Sequence, residues 1–274
     1  LREKTGAGFL DCKKSLEDNN NDIEKSIEAL RKKGLAKASK KSDRAAIEGA
    51  VGFYSNENIT VLIKVNSETD FAAKSDTFLD FLDSLGKLAL ENNTNINKEQ
   101  FLKLHYEKGT VQDYFNSMIA KIGENLILNN LLILDINSSE AYYYIHNSYR
   151  DNVGKIISAI VYNTNNNDDK IKNLSKNICM HIAAMKPESI DIEDLDQKLI
   201  EKEKNIQKEL ILSSGKPENI VEKILDGKMK KFFSEVTLYN QAYILDQDKT
   251  VKSIIDQHQN DYSYEIKSFY LLSL

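Results

Sequence analysis

The sequence contains no tryptophan, two prolines and two cysteines among its 274 residues. Cys12 and Cys179 lie far apart, so they offer neither the repeated spacing of a disulfide framework nor the paired spacing of a structural zinc site. No apolar run reaches the ~18 residues that a membrane-spanning helix requires. We therefore expect a protein of a reducing compartment that holds no metal and does not enter a membrane.

The motifs of common nucleotide-binding and hydrolytic enzymes are also missing. The chain has no G-x-x-x-x-G-K-[ST] loop, no G-x-G-x-x-G after a strand and no G-x-S-x-G elbow. The acidic residues form no pair suited to acid–base catalysis. The net charge of −5 argues against a general nucleic-acid binder. These absences predict a protein that is not an enzyme, has no catalytic residues and needs no cofactor.

The composition that is present suits a globular protein. Hydrophobic residues make up 41% of the chain and charged residues 29%, and the length favours two or three modules over one. Asparagine tracts at 19–21 and 165–167 suggest an AT-rich genome and mark tolerant loops. The chain starts at Leu1, with no methionine and no signal-like apolar segment, which predicts a mature or trimmed form.

The most informative stretch is residues 59–74, ITVLIKVNSETDFAAK. Its first half alternates β-branched apolar residues with others, which predicts a strand. Thr69 is placed to cap a following helix, and Asp70 lies in the first turn, where a carboxylate suits the helix dipole. Phe71 follows at once. Residue type alone favours burial of Phe71 in the core, and the alternative is an aromatic wedge on a stiff corner.

Residues 1–44 predict a small module of three helices. The expected helices are Arg2–Lys4, ended by Gly6 and Gly8, then 11–18, then a third from the N-cap candidate Asp22 to Gly34, with Ile23, Ile27 and Leu30 on one face. Residues 37–44, KASKKSDR, have almost no apolar content and predict a solvated linker.

From residue 45 a hairpin followed by a helix occurs twice, which predicts two similar subdomains of an α+β fold. The first set is strands 47–54 and 59–66 with helix 70–90. The second is strand 142–146, loop 147–152, strand 153–162 and helix 170–185, ended by Pro187. Helices 100–106 and 111–122 and strand 126–136 lie between them. Helix 249–257 and strand 262–272 close the chain.

Residues 188–233 predict a helical hairpin. Leu195, Leu199, Ile206 and Leu210 are spaced near a coiled-coil seam, and Gly215 and Pro217 suit the turn. Two helices bury little by themselves, so we expect this hairpin to pack elsewhere or to self-associate. The predicted division is therefore 1–44, 45–140, 141–187 with 234–274, and 188–233.

Several segments resemble one family. TDFAAK (69–74) resembles the TDFVAK motif of bacterial-type elongation factor Ts, and TGAGFLDCKK (5–14) resembles its TGAGMMDCKKAL signature. KIGENL, HIAAMKP and SGKPENIVEKILDGKMKKF match further segments of that family in order. The resemblance covers nearly the whole chain. It implies a ubiquitin-associated-like module at 1–44, two α+β core subdomains, and a coiled-coil insertion that dimerises in some members.

The same resemblance implies a function. Members of the family are guanine-nucleotide exchange factors that bind elongation factor Tu, in its nucleotide-free and GDP forms. Their TDF phenylalanine, here Phe71, inserts near the Mg²⁺ and phosphate site so that GDP leaves. The implied partner contacts are Thr69, Asp70, Phe71, Phe9, Leu10, Cys12, Lys13, Lys41, Ile122, Gly123 and His146. Phe9 and Leu10 replace two methionines of the family, and the loop after His146 is longer than usual.

Blander interpretations accompany several of these residues. Lys41 lies in the predicted solvated linker, Gly123 suits a helix C-cap, and His146 alone is typical of a loop histidine. Cys179 and His181 are too few for a metal site, and His181 is expected to pack within its helix.

A second functional hypothesis is a ubiquitin-associated-like adaptor that self-associates through its hairpin, although such a protein has no need of the TDF corner. An enzyme is a third hypothesis without a supporting motif. The asparagine tracts suggest an organelle with bacterial-type translation, a plastid or mitochondrion, and a bacterial cytoplasm is the alternative. The chain ends at Leu274 without the C-terminal helical module of some relatives, natively or by truncation.

Overall fold

The computed structural model describes residues 1–5, 7–92, 96–107, 109–214 and 217–274. Gly6, predicted above to end a helix, and Gly215, predicted to suit the hairpin turn, lie outside the described residues. The helices are α1 Arg2–Thr5, α2 Phe9–Asp18, α3 Ile23–Ser39, α4 Asp70–Ala73, α5 Asp76–Leu90, α6 Lys98–Leu102, α7 Val111–Ile122, α8 Asp169–Met185, α9 Gln197–Ser213, α10 Glu218–Val236 and α11 Val251–Tyr262. The strands are β1 Glu48–Ser55, β2 Ile59–Ser67, β3 His105–Tyr106, β4 Gly109–Thr110, β5 Ile127–Asp135, β6 Glu140–Arg150, β7 Val153–Asn163, β8 Ala242–Tyr243, β9 Asp246–Thr250 and β10 Glu265–Ser273.

This mixture of helices and strands confirms the predicted α+β class. The chain divides into two compact units, which the strands β6 and β7 both traverse. Unit 1 comprises Leu1–Asn137, Ile145–Ile157 and Leu272–Leu274, and unit 2 comprises Ser138–Tyr144 and Ser158–Leu271. The four-part division given above remains a prediction. Within the described ranges, no helix has both the length and the apolar character needed to cross a membrane.

The sheet of unit 1 is built on the predicted hairpin. Strands β1 and β2 pair antiparallel from Glu48 opposite Ser67 to Ser55 opposite Thr60. Strand β5 pairs antiparallel with the other edge of β2. The C-terminal end of β2 therefore lies beside the start of β5, and the chain leaves the sheet there toward α4.

Helix α5 supplies the main core of unit 1. Its apolar stripe packs with the inward residues of β2 and with the neighbouring helices in one cluster. Fully burying an aromatic or branched aliphatic side chain stabilises a fold by roughly 1.5–3 kcal/mol. The fully buried members of the cluster include Val61, Ile63, Phe78, Phe81, Leu82, Phe101 and Val111.

Helix α3 corrects one sequence prediction. Gly34 does not end the helix, which continues to Ser39. A Cβ added at Gly34 would lie 3.6 Å from the Ala120 side chain of α7. The missing side chain thus permits close packing of α3 against α7, and tertiary packing overrides the local tendency of glycine to end a helix.

Three further predictions about unit 1 were wrong. The helix expected over 70–90 is interrupted, because Ser75 caps a new helix through a bond from the Phe78 N–H. The helix expected over 100–106 ends at Leu102 and gives way to the short β3–β4 pair. The loop expected over 147–152 is mostly strand, because β6 extends to Arg150 and pairs with β7.

Unit 2 has its own core, formed by α8, α11, β10 and the later part of β7. Tyr162, Ile178 and Tyr264 are fully buried in it. His181 of α8 is also fully buried, as predicted. The His181 Nδ1 accepts the N–H of Ile244 at 3.2 Å, and its Nε2 lies 2.9 Å from Gln241 Oε1. Nε2 therefore carries the proton of a neutral ring.

Helices α9 and α10 form the predicted hairpin, although with a different seam. Ile211, Val221, Leu225 and Met229 form the buried contact between the helices. Ile206 and Leu210, predicted to lie in the seam, are 41% and 57% exposed. The seam shifts because the inner face of α9 must meet α10 of the same chain, and the spacing of apolar residues does not specify which partner a helix face meets.

Candidate functional site

The site begins with a doubly capped corner after β2. Thr69 adopts an extended conformation, and its Oγ1 accepts the N–H of Ala72 at 3.2 Å, as predicted for an N-cap. Helix α4 lasts for four residues, and Ser75 then caps α5. Two caps within seven residues fix the backbone on both sides of Phe71, because each satisfies helix N–H groups that would otherwise lack partners.

Phe71 points away from the core. Its exposed fraction is 84%, the largest among the exposed large hydrophobic residues, whereas Ala72 and Ala73 on the same short helix are buried. The two small residues let α4 lie close to the sheet with its opposite side in solvent. The expectation from residue type that Phe71 packs in the core is therefore wrong, and the wedge interpretation has the geometry it needs.

Asp70 is held beside Phe71 by an ion pair with Lys74, the residue that follows α4. Lys74 Nζ lies 2.8 Å from Asp70 Oδ2 in an i,i+4 arrangement. The hydrogen bond from Lys74 is the main cause that lowers the pKa of Asp70. Asp70 is thus a carboxylate at neutral pH, and both charges remain partly accessible to solvent.

A second segment, residues 122–125, meets this corner. Helix α7 ends at Ile122, and Gly123 takes a left-handed conformation with φ of 87°, as expected of a C-cap. The Lys41 ammonium donates a hydrogen bond to the Gly123 carbonyl. Ile122 is half-buried and Gly123 is exposed. Among the described residues, nothing lies within 4 Å of a Cβ added at Gly123, so the turn presents bare backbone to solvent.

Two carboxylates join the corner to this turn. Glu124 accepts the Thr69 N–H at 2.9 Å on Oε2 and the Thr69 hydroxyl at 2.6 Å on Oε1. Glu68 accepts the Asn125 N–H at 2.7 Å. That N–H bond, ahead of the Arg44 charge, lowers the pKa of Glu68. We call this pair of contacts the carboxylate clamp, formed by Glu68 and Glu124 with the amides of Thr69 and Asn125.

A third segment, residues 41–44, supports the clamp. Asn125 is buried, and its side-chain amide donates to the carbonyls of Arg44 at 2.8 Å and Ser42 at 3.3 Å. Arg44 Nη1 lies 3.4 Å from Glu68 Oε2. The segment that the composition predicted to be a solvated linker is therefore bonded to the site, although most of its side chains remain exposed.

Other predicted contact residues lie on α2 and β6. Phe9 and Leu10, in the first turn of α2, are 67% and 77% exposed. Lys13 pairs with Glu17 at 3.8 Å on the exposed side of that helix. Cys12 is buried, and its Sγ donates to the Ala7 carbonyl. His146 is exposed on β6 rather than in a loop.

The structure thus unites six of the predicted residues, Thr69, Asp70, Phe71, Lys41, Ile122 and Gly123, in one bonded region. Sequence reasoning missed Glu68, Arg44, Glu124 and Asn125. Glu124 and Asn125 belong to the KIGENL segment, but no role was predicted for them from the sequence. Their function in the clamp depends on contacts between positions 55 and 57 residues apart, which no local spacing reveals.

Comparison with known proteins identifies the family of this chain. A family model described as Elongation factor TS matches residues 68–274, which include the corner, the 122–125 turn and His146. The chain belongs to the elongation factor Ts family. The resemblance given by the sequence motifs is therefore confirmed, and the protein is a translation elongation factor.

Relatives within the elongation factor Ts family are similar over almost the full chain. Elongation factor Ts of Allorhizobium ampelinum is 38% identical over 261 residues, which cover 95% of this chain and 85% of the relative. Elongation factor Ts of Sinorhizobium fredii is 38% identical over 257 residues, 94% of this chain and 84% of the relative. That of Rhizobium meliloti is 36% identical over 257 residues, with the same two shares. All three relatives are bacterial.

Proposed function

We propose that this elongation factor Ts family member is the guanine-nucleotide exchange factor of elongation factor Tu. Phe71 inserts near the Mg²⁺ and phosphate site of the partner, so that GDP leaves. The observation that carries the proposal is the 84% exposure of Phe71 on a backbone fixed by two caps. Covering a large exposed apolar side chain with a partner's surface lowers the free energy, which favours binding.

We infer the remaining contacts with the partner from the exposed residues. Phe9 and Leu10 offer an exposed apolar patch on α2, Lys13 lies on the exposed side of the same helix, and Cys12 is buried on it. Lys41, Ile122 and Gly123 flank the Phe71 corner. The surface of this chain that contacts elongation factor Tu also includes Thr69, Asp70 and His146.

No covalent chemistry is required of these residues, and we propose that the protein is not an enzyme in its own right. It acts as a ligand that binds the nucleotide-free partner more tightly than the GDP-bound partner. The coupling is reciprocal, because the factor by which it weakens GDP binding equals the factor by which GDP weakens its own binding. A typical coupling is roughly 1–3 kcal/mol, and we expect an efficient exchange factor to exceed that range.

The direct test follows release of a fluorescent GDP analogue from a bacterial-type elongation factor Tu, chased with excess GDP. We compare the wild-type chain with Phe71→Ala and with Leu245→Ala, a control that removes another exposed apolar side chain (57% exposed) in unit 2. We expect wild type and the control to accelerate release and Phe71→Ala to lose most of the acceleration. No acceleration by wild type overturns the proposal, and equal acceleration by Phe71→Ala overturns the wedge.

Self-association through residues 188–233 is a second proposal. It is favoured by Ile206, Leu210 and Leu212 on α9, which are all more than two-fifths exposed. The adaptor hypothesis needs this contact and does not need Phe71. Sedimentation of wild type and Leu210→Glu over a range of concentrations tests it, and a monomer at every concentration overturns it.

The proposed place of action is wherever bacterial-type translation occurs. The bacterial relatives are consistent with a bacterial cytoplasm, and the organelle remains a prediction from the asparagine tracts. That the chain binds neither nucleic acid nor membranes directly also remains a prediction.

A further inference from the structure

We propose that Glu124 and Glu68 are positioning residues, which hold the Phe71 corner and the Ile122–Gly123 turn as one preformed surface for the partner. This inference rests on the proposed exchange function. It adds two residues that were not identified from the sequence, and it predicts that exchange slows when their bonds are lost.

The first argument is the reciprocity of the clamp. Each glutamate accepts the backbone N–H of the residue that follows the other glutamate, at 2.9 Å for Thr69 and 2.7 Å for Asn125. Two such bonds fix the distance between the segments and also their relative rotation, which one bond cannot do. Bonds to a charged acceptor are shorter and stronger than neutral ones.

The second argument is a direct connection from Glu124 to Phe71. The Thr69 hydroxyl donates to Glu124 Oε1 at 2.6 Å and accepts the Ala72 N–H at 3.2 Å. Glu124 therefore selects the orientation of the hydroxyl that leaves a lone pair for the cap. The cap orients α4, and α4 carries Phe71. Without the carboxylate, the hydroxyl is free to rotate and the cap weakens.

The third argument concerns the exposed wedge itself. Phe71 has little packing of its own to hold it, because it is 84% exposed. Its direction is set by the short α4 helix and by what α4 rests on. A preorganised contact binds more tightly than a mobile one, because less conformational entropy is lost on binding. The carboxylate clamp provides this preorganisation by holding the backbone that carries Phe71.

The test measures GDP release with Glu124→Ala, Glu124→Gln and Thr69→Val. Glutamine retains one carbonyl acceptor for the Thr69 N–H, and valine removes only the hydroxyl bonds at nearly constant shape. We expect Glu124→Ala to slow factor-dependent release about tenfold, as for loss of hydrogen bonds to a charged group. Glu124→Gln is expected to recover part of the lost release rate. Thr69→Val is expected to slow release, as Glu124→Ala does.

The control is Glu57→Ala. Glu57 lies in the turn between β1 and β2, at the opposite end of the hairpin from Ser67. We expect it to accelerate release as wild type does. Thermal unfolding of each variant identifies any that fail to fold, and amide exchange of the free protein reports on the clamp without the partner. Exchange at Thr69 is expected to speed up about tenfold in Glu124→Ala.

The decisive readout is a double-mutant cycle. At factor concentrations where Phe71→Ala still accelerates release measurably, Glu124→Ala is expected to cause a smaller fold loss in the Phe71→Ala background than in wild type, because Glu124 acts partly through Phe71. A general structural effect instead reduces release by the same factor in both backgrounds, which overturns the inference. Wild-type rates for Glu124→Ala also overturn it, while leaving the exchange function intact. If wild type itself fails to accelerate release, the proposed function falls and this inference falls with it.

Discussion

The hydroxyl of Tyr54 donates a hydrogen bond to Asp83 Oδ1 at 2.7 Å, which ties strand β1 to helix α5. Burial, and then the neighbouring carboxylate, raise the pKa of Tyr54 far above its usual range. Tyr149 offers a natural contrast. Its hydroxyl is also buried, and it has no hydrogen-bond partner among the described residues.

The two tyrosines predict opposite results for the same substitution. Tyr54→Phe removes a bonded hydroxyl and is expected to lower the free energy of unfolding by about 1 kcal/mol. Tyr149→Phe removes a buried hydroxyl without a partner, so it is expected to be neutral or stabilising, within about 0.5 kcal/mol. Urea unfolding of both variants measures the difference. If Tyr149→Phe lowers the free energy of unfolding by clearly more than about 0.5 kcal/mol, its hydroxyl has a hydrogen-bond partner in solution.

Arg150 joins β6 to α5 through a network of charges. Its guanidinium lies 2.8 Å from Asp80 and from Asp83, and 3.5 Å from Asp76. Arg150→Met leaves three carboxylates on one helix face without their shared cation. Because the network is partly exposed, we expect a loss of about 1 kcal/mol in the free energy of unfolding.

Salt distinguishes this effect from lost packing. The repulsion left in Arg150→Met is screened by salt, so its stability deficit is expected to shrink between about 0.05 M and 0.5 M NaCl. Urea unfolding at both concentrations measures it. A deficit that stays constant would assign the loss to the aliphatic part of the arginine instead.

His181 predicts a pH dependence for unit 2. Burial lowers the pKa of its ring below the usual 6.5, against a smaller opposing effect of Gln241. Below pH 6.5 the unfolded chain therefore binds a proton that the folded chain does not. Stability is full above that pH and decreases as the pH falls toward the folded pKa, by at most about 1.4 kcal/mol per pH unit.

The check is the slope of unfolding free energy against pH between about 6.5 and 5.5, the range just below the usual histidine pKa. His181→Gln is expected to be less stable than wild type at pH 7, because it disrupts the bonds to Ile244 and Gln241, and to have a flatter slope. An unchanged slope would mean that other groups dominate this range.

The hairpin of α9 and α10 predicts a contrast between two leucines. Leu225 is 6% exposed in its seam, whereas Leu210 is 57% exposed. Leu225→Ala is expected to cost about 2–5 kcal/mol of hairpin stability, and Leu210→Ala about 0.5 kcal/mol or less in the single chain, at dilutions that prevent self-association. Amide exchange along α10 reports both. Comparable losses would mean that Leu210 is covered, and repeating the measurement at higher dilution would show whether a second chain covers it.

Local chemistry in the sequence predicted local structure well. The alternation of residues 59–66 indicated β2, and Thr69 and Asp22 cap their helices as expected, with Asp22 accepting the Lys25 N–H at 3.0 Å. The Ser75 cap that separates α4 from α5 was not predicted, since one helix over 70–90 was expected from the sequence.

Predictions that depended on distant contacts were less successful. Gly34 was expected to end α3, yet its missing side chain accommodates Ala120. The polar sequence after His146 is typical of a loop, but strand β7 pairs with it. Phe71 was expected to be buried from residue type, since no local pattern shows that Ala72 and Ala73 occupy the inner side of α4. The family resemblance supplied what the pattern lacked.

Helix α4 separates two kinds of mutational outcome within three positions. Ala73 is fully buried and Phe71 is almost fully exposed. A larger residue at position 73 must lift the corner from the sheet, so its effect in a cell is reduced abundance of the protein, because destabilised chains are removed by quality control. Under the proposed function, a change at Phe71 is expected to leave abundance unaltered and to yield a folded protein that no longer promotes GDP release. Neighbouring codons can therefore give the same growth defect for unrelated reasons, and only the protein level distinguishes them.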